Sequence, residues 1–136
     1  MQKQAHPRQP AGPADAVLLV NLGTPDAPTP AAVRRYLAEF LGVRRVVSLT
    51  RWLWYPILYL VVLPFRSPRV AKLYAKVWMD DGSPLAVYTR GLAEAVAKRM
   101  PDVQVDWAMR YQKPSLTAAI RRLQSRGARR IVVIPL

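Results

Sequence analysis

Two short apolar runs, Ala16-Val17-Leu18-Leu19-Val20 and Ile131-Val132-Val133-Ile134, lie near opposite ends of the chain. A run apolar at every residue, and too short for a stable helix, is the pattern of a strand buried on both faces. Asn21-Leu22-Gly23-Thr24-Pro25 closes the first with turn residues. A third strand is predicted from the alternation of Val103-Gln104-Val105-Asp106-Trp107-Ala108-Met109, and the second apolar run reads as a buried strand over Arg130 to Pro135.

Helices separate these strands. Thr29-Pro30 opens the first with a capping hydroxyl and a proline at the first helical position. Val33, Tyr36, Leu37, Phe40 and Leu41 then recur at three- and four-residue spacing, and Gly42 ends the pattern. Ser67-Pro68 and Ser83-Pro84 repeat the hydroxyl-then-proline device, so each is expected to start a helix. The former would carry Val70, Leu73, Tyr74 and Val77 on one face until Asp80-Asp81-Gly82 breaks it; the latter would run to about Met100. Lys113-Pro114-Ser115 leads into a last helix ending near Arg126-Gly127. Strands alternating with helices predict an α/β fold, a three-layer parallel sheet with right-handed crossovers, in one domain over residues 16–136.

Residues 1–15, MQKQAHPRQPAGPAD, hold no apolar run and are expected to form a flexible tail rather than a signal peptide, which places the protein in the cytoplasm. Cysteine is absent, so this chain makes no disulfide and no thiolate metal site. The net charge of +13 favours anionic partners. Its arginines come as scattered pairs, Arg34-Arg35, Arg44-Arg45, Arg121-Arg122 and Arg129-Arg130, with no nucleic-acid-binding motif, so no nucleic acid is expected as partner.

Trp52 to Leu63, WLWYPILYLVVL, is the most hydrophobic stretch, too short and too broken by Pro56 to span a bilayer. It reads as a buried hairpin or connecting helix. A lip that touches a membrane or accepts a flat apolar ligand is compatible with that, given Trp52, Trp54, Tyr55 and Tyr59 beside Arg51 and Arg66.

A self-contained catalytic centre is not evident. The single histidine is His6, in the tail, so no histidine base or multi-histidine metal site is available. Asp80-Asp81, the adjacent acidic pair, reads as helix entry and solvation, and no glycine-rich phosphate loop is present. No catalytic residue, metal ligand or cofactor is assigned to this chain. The remaining candidates sit at strand and helix ends: Leu22 and Gly23 after the first strand, Ser83 at a helix start, and Arg110 and Tyr111 after the second strand. Together they suit a flat, apolar molecule bearing carboxylates.

At these same positions the sequence resembles the ferrochelatase family. Val17 to Asp26 (VLLVNLGTPD) is similar to its first block, Phe65 to Tyr74 (FRSPRVAKLY) to the second, Asp81 to Leu85 (DGSPL) to the third, and Met109 to Ser115 (MRYQKPS) to the fourth. The resemblance implies two Rossmann-like halves around a porphyrin cleft, this chain supplying the first, in an enzyme that inserts ferrous iron into protoporphyrin during heme synthesis. Ferrous iron is then a substrate. By the same resemblance Leu22 would lie against the macrocycle, Arg66 and Ser83 would meet propionates, Tyr74 would line the pocket, and Arg110 and Tyr111 would stand on the cleft wall. The family's catalytic histidine and its acidic partner belong to the second half, and neither has a counterpart here.

The chain stops at Leu136, directly after a core strand. It is therefore expected to be an N-terminal fragment, inactive alone. A cobalt- or coproporphyrin-type chelatase, a homologue that holds porphyrin without turnover, and a basic nucleic-acid or membrane-surface module are the competing readings. Oligomeric state is left open.

Overall fold

The computed structural model describes residues 15–43 and 48–136. Nearly all of the expected tail, with His6, and the Arg44-Arg45 pair lie outside the described residues. In chain order the elements are β1 (Ala16–Gly23), α1 (Pro30–Leu41), α2 (Arg51–Ile57), a π-helical turn (Leu58–Val62), α3 (Leu63–Val77), α4 (Pro84–Arg99), β2 (Gln104–Tyr111), α5 (Leu116–Ser125) and β3 (Ile131–Pro135).

The sheet has the order β2-β1-β3, and β1 runs parallel to both neighbours. Ala16 to Leu19 of β1 are buried, as an all-apolar central strand requires. Leu18 and Ala16 pack with Ala119 and Leu123 of α5 on one face. Val17 and Leu19 pack with Ala93 of α4 on the other. This is the three-layer α/β arrangement. A further cluster joins Val33, Tyr36 and Leu37 of α1 to Leu58, Leu63 and Ala71, and it reaches Tyr111 at the end of β2.

Two expectations are corrected. The Arg130–Pro135 segment does form a strand, but not a buried one: Val132, Val133 and Ile134 are 40–48% exposed. The reason is placement, because α4 and α5 lie over β1 and β2 and leave β3 an uncovered edge.

The second correction concerns Ser67-Pro68, which starts no helix. Both residues lie within α3, and helical backbone continues from Arg51 to Val77. Pro68 donates no N–H, so the carbonyl one turn earlier, at Pro64, loses its helical partner. Both prolines are exposed, so water can replace it. The π-helical turn also misaligns the apparent periodicity. Leu63 N–H donates to the Leu58 carbonyl, and this five-residue step puts both leucines on the buried side at 0% exposure.

The other helix starts agree with expectation. Thr29, Ser83 and Ser115 are N-caps whose hydroxyls accept the N–H of Ala32, Ala86 and Ala118 at 3.2–3.3 Å. Trp54 Nε1 donates to the Leu41 carbonyl at 2.9 Å and ties α2 to the end of α1.

Candidate functional site

Leu22, Gly23, Arg110 and Tyr111 gather around the turn that leaves β1. Leu22 and Gly23 are the last residues of β1, and Arg110 and Tyr111 the last of β2, rather than residues following those strands. Gly23 has φ +134°, and a Cβ there would stand 2.3 Å from the Tyr111 carbonyl oxygen. Only a residue without a side chain lets the two strand ends approach so closely.

Asn21 fixes this end of β1. Its Oδ1 accepts the Leu22 N–H at 2.8 Å, and its Nδ2 donates to Thr89 Oγ1 at 3.1 Å. Thr89 Oγ1 in turn donates to the Leu85 carbonyl at 2.6 Å, so β1 is tied to the first turns of α4. The Leu22 side chain is left 47% exposed. It shares a cleft of about 210 Å³ with Arg110, Pro135 and Leu136.

Successive residues of a strand face opposite sides, and this separates Arg110 from Tyr111. Arg110 is exposed, with its guanidinium carbon 5.6 Å from the Tyr111 ring centroid. The Tyr111 ring is 6% exposed and meets Phe40 edge-on at 5.3 Å. Of this pair, Arg110 lines the cleft with Leu22, and Tyr111 packs into the core behind it.

Ser83 lies in a second cleft, of about 160 Å³, lined by Thr24, Asp26, Trp78, Asp81 and Lys113 among others. Its hydroxyl is already engaged in capping α4. Asp81, at the tip of the Met79–Gly82 turn, pairs with Arg90 at 3.5 Å, an exposed contact in keeping with helix entry and solvation.

Tyr74 belongs to a third, open groove of about 390 Å³, with Val70, Leu73, Lys76 and Val77. Leu73 and Val77 are more than half exposed, so the expected shared face exists but is turned to solvent. Arg66 precedes Val70 by one helical turn and continues that stripe. It lines none of these three clefts, and the structure does not bring it beside Ser83.

Thr24 of the second cleft lies near Tyr74 of the third. Burial raises the Tyr74 hydroxyl above its ordinary range, and the nearby Thr24 hydroxyl offsets part of the rise. The two do not reach hydrogen-bond geometry, so Thr24 Oγ1 is buried without a partner. Tyr36 is pushed up to about 12, first by burial and then by the neighbouring Tyr74 and Tyr111. Both Tyr36 and Tyr74 therefore stay protonated at neutral pH and present no anion to a ligand.

Sequence reasoning missed Asn21, Thr24, Trp78 and Lys113 as site residues. Thr24 and Lys113 were within blocks already singled out, flanking Gly23 and Pro114, and a turn signal beside a strand end was the clue to both. Among the described residues no group of three or more His, Cys, Asp or Glu is placed to hold a metal ion. The arrangement can grip an apolar face and surround it with cations and neutral hydroxyls.

An open parallel sheet with a cleft at the carboxyl ends of its strands defines a Rossmann-like α/β domain. Comparison with known proteins narrows this class. The ferrochelatase family model matches residues 14–136. A ferrochelatase of Yersinia enterocolitica serotype O:8 is 60% identical over 120 residues, covering 88% of this chain and 37% of the relative. One from Xylella fastidiosa strain M12 is 59% identical over 121 residues, 89% of this chain and 38% of the relative. One from Xanthomonas axonopodis pv. citri is 58% identical over 124 residues, 91% and 39% respectively. The chain belongs to the ferrochelatase family. It spans less than two-fifths of the length of these relatives.

Proposed function

We propose that this chain forms part of the porphyrin-holding wall of an enzyme that inserts ferrous iron into protoporphyrin. The observation that carries this reading is the open groove of α3, in which Val70, Leu73, Tyr74 and Val77 offer an apolar floor beside Lys76. A planar macrocycle gains from covering such a surface, and its propionates can reach cations at the edges. Arg66 on the same stripe, Arg110 beside Leu22, and the Ser83 cleft with Lys113 supply polar partners. In this reading Leu22 touches the macrocycle, Tyr74 lines its pocket, and Tyr111 acts from behind Arg110.

Iron enters as substrate, and the described residues supply grip and orientation rather than a metal site. Titration with protoporphyrin, followed by its Soret absorbance, tests the reading. A saturable shift supports it. No shift, together with salt-sensitive binding to duplex DNA, would favour a basic binding module instead.

Contact with a membrane surface is part of the same proposal. Among the described residues no helix is long and apolar enough to cross a membrane. Trp52, Leu53, Ile57, Tyr59, Leu60, Val61 and Phe65 are nevertheless exposed along α2, the π-helical turn and α3. Exposed Arg51, Arg66 and Arg69 accompany them. Apolar rings beside cations suit the interface of an anionic bilayer, where a poorly soluble porphyrin would be met. We place the protein in the cytoplasm, peripheral to that surface.

A further inference from the structure

Gln112, directly after β2, is the one non-glycine residue with positive φ among those described, at 68°. Residues with a Cβ avoid this left-handed region, and they persist there where neighbours hold them. The holder is Glu39, near the end of α1. Its Oε2 accepts the Gln112 backbone N–H at 3.1 Å and is also bonded by Gln112 Nε2. One carboxylate oxygen thus takes both kinds of donor from a residue far along the chain.

The residues around Gln112 carry charge into two clefts. Arg110 lines the one with Leu22, and Lys113 lines the one with Ser83 and the unpartnered Thr24 hydroxyl. A loop free to relax at Gln112 would lose the orientation of both cations together. We propose that Glu39 is a positioning residue: through Gln112 it holds Arg110 and Lys113 ready for the carboxylates of the macrocycle. This rests on the porphyrin reading above.

Simple electrostatics makes the opposite demand. Glu39 is itself an anion beside the cationic loop, so removing its charge should strengthen an anionic ligand if charge alone mattered. If Glu39 acts by holding the loop, removing it weakens that ligand.

The experiment titrates the chain, Glu39→Ala and Glu39→Gln with protoporphyrin and with its neutral dimethyl ester, and records thermal midpoints. Glu39→Ala is expected to weaken protoporphyrin ~5- to 10-fold, the size of one ordinary net hydrogen bond. It should leave the ester within about twofold, since the apolar groove lies elsewhere. Glu39→Gln keeps an acceptor oxygen and should stay near the wild type. The proposal is overturned if Glu39→Ala binds protoporphyrin as well as the wild type or better. It is equally overturned if both ligands weaken in step with a lowered thermal midpoint. A wild-type chain that binds neither ligand removes the porphyrin reading along with it.

Discussion

The Tyr111 carbonyl oxygen occupies the space in which a side chain on Gly23 would begin, 2.3 Å from the position of its Cβ. These residues are partners in the β1–β2 register, so the contact closes the carboxyl end of β1 between Leu22 of one cleft and Thr24 of another. Gly23→Ala must both adopt φ +134° and displace that carbonyl. A loss of about 2–3 kcal/mol is expected, measurable by urea unfolding. A loss below about 0.5 kcal/mol would show that the strand ends separate easily and that the clefts are less rigid than drawn.

Much of this edge was legible in the sequence, for physical reasons that differ from residue to residue. The all-apolar run at Ala16–Val20 does form a strand buried between two neighbours, and the hydroxyl-proline pairs at Thr29 and Ser83 do cap helices. The same pair at Ser67 misled, because a local pattern cannot reveal that helical backbone already precedes it. Burial of β3 was misjudged because composition does not say which strand lies at the edge. At the site, chain order placed Leu22 and Arg110 at strand ends. It could not show that Tyr111 turns inward or that Glu39 reaches Gln112, since both depend on contacts distant in sequence.

The opposite edge of the sheet should respond to acid. Asp15 Oδ2 accepts the N–H groups of Arg129 and Arg130 at 2.9 and 3.0 Å. These bonds, more than the nearby guanidinium charges, hold its carboxyl below the ordinary value of 3.8. A pKa depressed in the folded state adds stability that is present above 3.8 and lost as pH falls through the folded value. Asp15→Asn should therefore lie below the wild type in thermal midpoint at neutral pH. The gap should narrow as pH drops below that value. A constant gap across the acid range would mean that the carboxylate charge contributes nothing.

Asp106 and Arg122 test how firmly α5 is seated. Arg122 Nε and Nη2 donate to the two carboxylate oxygens at 2.9 and 3.2 Å, and the Asp106 side chain is only 12% exposed. Arg122 is 41% exposed, so the pair is partly screened by water. Arg122→Ala should cost about 1–2 kcal/mol, mainly by leaving Asp106 without its partner. Asp106→Asn in the same background should recover part of that loss, and a double-mutant cycle measures the coupling.

Leu73 separates ligand binding from folding. It is 60% exposed and contributes to the groove rather than to a core cluster. Leu73→Ser should leave stability within about 0.5 kcal/mol. If the groove receives the macrocycle, losing this wall removes about 1 kcal/mol of apolar contact, roughly a fivefold weaker protoporphyrin affinity. Unchanged affinity with unchanged stability would move the macrocycle off α3, leaving the Leu22 and Arg110 cleft as the place to seek it.

On the porphyrin reading, iron insertion demands more than this wall offers. The inner pyrrole protons of the macrocycle must be accepted by a base as the metal enters. The single histidine of the chain is His6. The tyrosines nearest the clefts, Tyr36 and Tyr74, have raised pKa values that keep them protonated. Arg110, Arg66 and Lys113 are cations, which repel an incoming ferrous ion rather than gather it. The chain by itself should therefore bind protoporphyrin yet insert ferrous iron no faster than the uncatalysed reaction. Anaerobic assay of product absorbance, run beside the binding titration, measures both. Insertion clearly above background would mean that a base and a metal path exist among these 136 residues, and it would place the chemistry on this wall as well as the grip.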